Sequence, residues 1–66
     1  MISKKNLIKI KDLKAEADEN YEALANIISD YENLDAEEKE HDQDQMLEEV
    51  GEIIEILEIM AFLLKS

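Results

Sequence analysis

The sequence predicts an all-α protein: an antiparallel two-helix hairpin that dimerises into a four-helix bundle. Three observations carry that prediction. The 66 residues include no proline and a single glycine, and they are rich in Glu, Leu, Ile, Ala and Lys, a composition that suits helices throughout. Met46, Val50, Ile53, Leu57, Met60 and Leu64 are spaced 4, 3, 4, 3 and 4 apart, the heptad seam of a helix packing on other helices. Upstream, Ile10, Leu13, Ala17, Tyr21, Leu24, Ile28 and Tyr31 step by 3, 4, 4, 3, 4 and 3, a second helical stripe joined to the first by a polar break.

Residues 1–66 form one domain. Its first fourteen, MISKKNLIKIKDLK, admit several readings: a helix start capped by Ser3, a short strand through the alternation IKIK, or a basic arm that touches an acidic surface. The helical period is clear from Ile10, and the first helix is placed at about 4–33. Glu19, Glu22, Asn26 and Asp30 form its solvated face. The two consecutive four-residue steps from Leu13 to Tyr21 argue against a long regular supercoil.

Asn33, Leu34 and Asp35 mark the break, and Asp35 with Glu38 three residues later is a capping-box-like pair. The run Glu37 to Gln45, EEKEHDQDQ, has no apolar residue, and reads either as a projecting solvated helix or as an exposed loop. The loop reading sets the boundaries: an acidic turn or loop over about 34–42 and a second helix over about 43–65, matched in length to the first as a hairpin prefers.

The second helix is apolar over more than one stripe. Leu47, Ile54 and Ala61 flank the seam on one side, Ile56 and Leu63 on the other, and Ile59 and Phe62 lie farther out. A single neighbouring helix cannot cover so wide an arc. Met46, Val50, Ile53, Ile56, Leu57, Met60, Leu63 and Leu64 are therefore the candidate oligomer interface, and a homodimer is the simplest closed solution.

Charge narrows the functional classes. The net charge is −11, yet residues 1–14 carry five lysines against Asp12, and residues 15–66 carry Lys39 and Lys65 against seventeen acids. So negative a body disfavours direct binding to nucleic acid or to anionic membranes. It favours a basic protein surface. There is no cysteine, hence no disulfide framework. The apolar run Ile53 to Leu64 falls short of the roughly 20 residues a membrane span requires, no signal peptide is legible, and a cytoplasmic location is expected.

No nucleophile, phosphate loop or cofactor motif appears; His41 is the sole histidine and Ser29 has no base within helical reach. Catalysis, metal and cofactor are not expected. Glu49 and Glu52 in EEVGE form an ExxE pair, and this five-residue string resembles the first metal-binding half of the all-helical nucleotide pyrophosphohydrolases of the MazG type. The resemblance implies a second acidic pair on a later helix to complete a magnesium site; Glu55 and Glu58 follow on the same helix, so a second chain would have to supply it. Gly51 inside a helix is expected to mark a helix crossing, and Tyr21 and Tyr31 to sit at the core edge with wet hydroxyls.

The candidate binding feature is a carboxylate row. Asp44, Glu48, Glu52, Glu55 and Glu58 follow one another along the second helix with no lysine between Lys39 and Lys65. Acids three or four residues apart lie about 5 to 6 Å from one another, near the spacing of phosphates along a nucleic-acid strand. The expectation is an acidic regulator, bacterial or phage, that inhibits a basic nucleic-acid-binding protein as a DNA or RNA mimic. The alternative is a structural or regulatory adaptor that dimerises or docks through its apolar C-terminal helix.

Overall fold

Ser3 settles the basic N-terminal segment. Its backbone is extended and its Oγ accepts the N–H of Asn6 at 3.1 Å, while its carbonyl accepts the N–H of Leu7 at 2.9 Å. That is an N-cap, and helix α1 (Lys4–Tyr31) runs from it without interruption. The computed structural model describes residues 1–65, with α1 followed by α2 (Ala36–Lys65) packed against it as an antiparallel hairpin. The rod measures 50 × 14 × 11 Å with a radius of gyration of 15.3 Å, against about 11 Å for a compact domain of this length.

The turn is shorter than the polar run implied. The Asn33 and Leu34 amides donate to the carbonyls of Asp30 and Tyr31 at 3.1 and 3.2 Å, closing α1 at Tyr31 rather than at 33. Asp35 then starts α2: its Oδ1 accepts the Glu38 N–H at 2.9 Å and its carbonyl accepts the Lys39 N–H, also at 2.9 Å. Residues 37–45 are therefore helix, and the second helix begins at Ala36, not near 43. The physical reason is a strong cap, with Glu37 and Glu38 in the first turn where the helix dipole favours anions. Seven of its nine residues are exposed and Lys39 and Asp42 are half-buried, so the stretch is a solvated helix and not a loop. Across the turn, the Lys39 ammonium stands 5.5 Å from the centre of the Tyr31 ring, within cation–π range.

Which residues make the seam differs by one position from the pattern in the sequence. On α1 the protected residues are Asn6, Ile10, Leu13, Ala17, Asn20, Leu24, Ile27 and Tyr31, an alternation of four- and three-residue steps, with Ala23 beside them. Asn20 and Ile27 replace Tyr21 and Ile28, and the expected departure from the heptad is absent from the buried stripe. Tyr21 is 65% exposed, not at the core edge. On α2 the protected residues are Lys39, Asp42, Met46, Glu49, Ile53, Ile56, Met60 and Leu63. Glu49, Ile56 and Leu63 take the places assigned to Val50, Leu57 and Leu64. Among the described residues only Ile53 and Ile56 are buried outright, at 8% and 6% exposure.

Lys39 above Tyr31 sets the register, and seven-residue steps from it oppose Leu24 to Met46, Ala17 to Ile53 and Ile10 to Met60. The alternate layers oppose Leu13 to Ile56 and Asn20 to Glu49. A polar layer thus interrupts the apolar seam near its middle. Glu49 Oε2 is shielded from water and makes no hydrogen bond.

Gly51 does not mark a crossing within the hairpin. A Cβ placed there would meet nothing within 4 Å, because Gly51 lies on the side of α2 away from α1. Gly51→Ala is expected to stabilise the fold by about 1 kcal/mol through helix propensity alone, read as a higher urea midpoint by circular dichroism; a lower midpoint would mean that the position is crowded in solution.

The α2 cap is sensitive to acid. A side-chain hydrogen bond to Asp35, and that carboxylate's charge, hold the Glu38 carboxyl above the ordinary value of 4.5. A carboxyl raised on folding binds its proton more tightly in the folded chain, so its contribution to stability grows as pH falls through the raised pKa and is lost above it. Glu38→Gln keeps the cap geometry and removes the repulsion: its melting temperature should exceed wild type at pH 7, with the gap closing below pH 4. Equal gaps at both pH values would contradict this.

For Glu49, replacing the unpartnered carboxylate by leucine should raise the melting temperature, since a shielded polar atom without a hydrogen bond costs about 1 to 3 kcal/mol. A fall would show that Glu49 is paired in solution.

Candidate functional site

With the seam assigned, the remaining positions of each heptad fall on two sides of the rod. On one side α2 contributes Val50, Leu57 and Leu64, flanked outward by Leu47, Ile54 and Ala61, and α1 contributes Leu7, Tyr21 and Ile28. Leu47 is 73% exposed, and Val50, Ile54, Leu57 and Leu64 lie between 38% and 53%. From residue 47 to 64 this side of α2 holds no charge at all. At its turn end Leu24, Ile28, Met46, Leu47 and Val50 line a groove of about 400 Å³, with Gln43 and Asp44 at its rim.

The opposite side is acidic. Glu16 of α1 and Glu52 and Glu55 of α2 converge on a shallow groove of about 290 Å³ floored by Leu13, Asn20, Ile56 and Ile59. Glu48 lies one seven-residue step from Glu55 along the same edge, and Asp12 and Glu19 continue it on α1. All of these acids are exposed, and two helices, not one, carry the carboxylates.

The residues expected to act together are thus divided. Of the acidic row, Glu48, Glu52 and Glu55 share one side; Asp44 sits at the rim of the apolar groove and Glu58 on the outer edge of α2. Of the expected oligomer interface, Met46, Ile53, Ile56, Met60 and Leu63 turn toward α1, and Val50, Leu57 and Leu64 remain uncovered. Glu16 was missed. Its signal was available once Leu13 and Asn20 are both placed in the seam, because Glu16 then lies beside it on the edge that Glu52 shares.

Glu49 and Glu52 separate in the same way: Glu49 enters the seam and Glu52 faces the acidic groove. Among the described residues no three Asp, Glu or His side chains are grouped to hold a metal ion. His41 is exposed beside Glu37, Glu38 and Asp42 of its own helix. No helix among the described residues is long and apolar enough to cross a membrane.

The exposed surface is large for the mass. The hairpin exposes 5402 Å² at 7.6 kDa, whereas a compact folded chain of that mass exposes about 4,300 Å². The excess of about 1,100 Å² per chain exceeds the ~800 Å² that each member of a standard stable complex buries.

Comparison with known proteins yields no relative: no family, no curated protein and no solved structure matches the chain.

Proposed function

We propose that this chain is a small acidic protein-binding regulator that acts without catalysis, self-associating through its apolar side and offering its carboxylate side to a basic protein. The observation that supports this reading is the segregation of the two chemistries onto opposite sides of one rod. Leu47, Val50, Ile54 and Leu57 face one way, and Glu16, Glu48, Glu52 and Glu55 the other. A side that is merely soluble has no need of this division. Carboxylates mounted on two packed helices keep fixed separations and lose little freedom on contact.

The target that fits is a protein with a groove lined by lysine and arginine, and a nucleic-acid-handling protein is the common bearer of such a groove. Occupying it excludes nucleic acid, so the expected outcome is inhibition by competition. The alternative, an adaptor that docks a foreign helix against Leu47, Ile54 and Leu57, is supported by the same uncovered side and makes no use of the acids.

Salt distinguishes the two, because exposed carboxylate contacts are screened while apolar packing is not. The tagged chain, used to capture proteins from a cell extract and washed in rising salt, should release a nucleic-acid-binding protein at moderate ionic strength, and added nucleic acid should compete it away. The triple variant Glu16→Gln, Glu52→Gln, Glu55→Gln should weaken capture about tenfold with helix content unchanged. A captured protein that survives high salt and is lost with Leu57→Lys would replace the regulator with the adaptor.

A further inference from the structure

We propose that the uncovered apolar side is filled by a second copy of this chain packed antiparallel, the open end of each hairpin lying over the turn end of the other, with the two-fold axis level with Ile54. This rests on the self-association stated above and adds its geometry. The rod exposes about 1,100 Å² per chain more than a compact chain of its mass, and a pair of copies burying that much on each member falls in the size class of stable homodimers.

The stripes themselves are self-complementary about one level. On α1 the uncovered positions are Leu7, Lys14, Tyr21 and Ile28. Antiparallel pairing sets Leu7 on Ile28 of the second copy and Lys14 on its Tyr21, centred between residues 14 and 21. On α2, pairing Val50 with Leu57 of the second copy and Leu47 with its Ala61 brings Ile54 onto itself, centred between 53 and 54. The register inside the hairpin places the α1 centre opposite residue 52 or 53, so the two centres coincide to about one residue, a rise of about 1.5 Å. One rotation therefore satisfies both helices. The same rotation lowers Leu57, Ala61 and Leu64 of the second copy toward the groove formed by Leu24, Ile28, Leu47 and Val50. The parallel arrangement instead stacks Lys14 on Leu57 and leaves Ile28 on Gln43.

Charge selects the same orientation. The open end, residues 1–14 and 56–65, carries six lysines against Asp12 and Glu58, a net +4; the turn end, residues 21–49, carries eleven acids against Lys39, a net −10. Antiparallel packing lays each +4 end along a −10 end, whereas parallel packing sets two −10 ends side by side. Lys14, the one charge among the facing positions of α1, is paired with Asp18 of its own helix at 3.0 Å.

The chain has no cysteine, which makes directed cross-linking clean. The wild-type chain at low micromolar concentration should show twice its 7.6 kDa mass by light scattering. Ile54→Cys should form a disulfide-linked pair on mild oxidation, and Glu37→Cys, at the turn, should not. The double variant Val50→Cys, Leu57→Cys, whose two thiols are two helical turns apart and cannot close on each other, should link two chains through both and guards against an unfavourable thiol geometry at 54. Doubled mass without linking at 54 or at 50 and 57 would overturn the antiparallel orientation and leave self-association standing. A wild-type mass of 7.6 kDa would overturn both. The basic-target reading is judged separately, by capture in graded salt.

Discussion

The structure depends on a single contact, the antiparallel seam between α1 and α2, and on how little one such contact can cover. Two helices pressed together bury one stripe each, about two positions in seven. Even on α1 it leaves Leu7, Tyr21 and Ile28 uncovered. It leaves α2 half-dressed, because its C-terminal half is apolar over nearly two stripes. Among the described residues only Ile53 and Ile56 are buried outright. A core of this size is marginal for a chain of 66 residues with no disulfide, and the uncovered stripe and the thin core are one fact seen from two directions.

The polar layer of Asn20 and Glu49 bears on the same economy. Placing Glu49 in the seam leaves a shielded carboxylate oxygen unsatisfied and so weakens a contact that is already slight. What it accompanies is the release of Val50, Leu57 and Leu64 to the outside, as a contiguous apolar strip free of charge. Polar residues within a helical seam are known to specify register at a cost in stability. Here Asn20 opposite Glu49 sets polar against polar, and the registers that would bury Val50 instead set it against Asn20.

Sidedness then follows without further assumption. Once the seam is taken out of each heptad, the residues left on one edge are Leu, Ile, Val and Tyr with Lys14 among them, and those on the other are mostly Glu and Asp, with Ile59 and Phe62 toward the open end. The acids do not form the single row along α2 that its sequence spelled out, because an α-helix turns Asp44 and Glu58 away from Glu52 and Glu55. They gain Glu16 from the facing helix instead. A binding surface drawn from two helices is wider than a row and is held by the seam, so its geometry is only as firm as the packing of Leu13 on Ile56.

Local chemistry determined much of this protein from sequence. The two helices, the Asp35 cap, the wide apolar arc after Met46 and the segregation of charge between the ends were all legible, because each depends on residues within one or two turns of one another. Two things were not. Whether residues 37–45 were loop or helix depended in part on Lys39 meeting Tyr31 across the turn, a contact that no local pattern records. Which of two adjacent stripes on α2 would face α1 was undecidable from α2 alone, since Val50, Leu57 and Leu64 repeat as regularly as Glu49, Ile56 and Leu63 and are the more apolar set. Only the tertiary structure decided that choice, because a helix with two usable faces takes its register from the helix it meets, and a shift of one residue, about 100° of rotation, exchanges the inside for the outside.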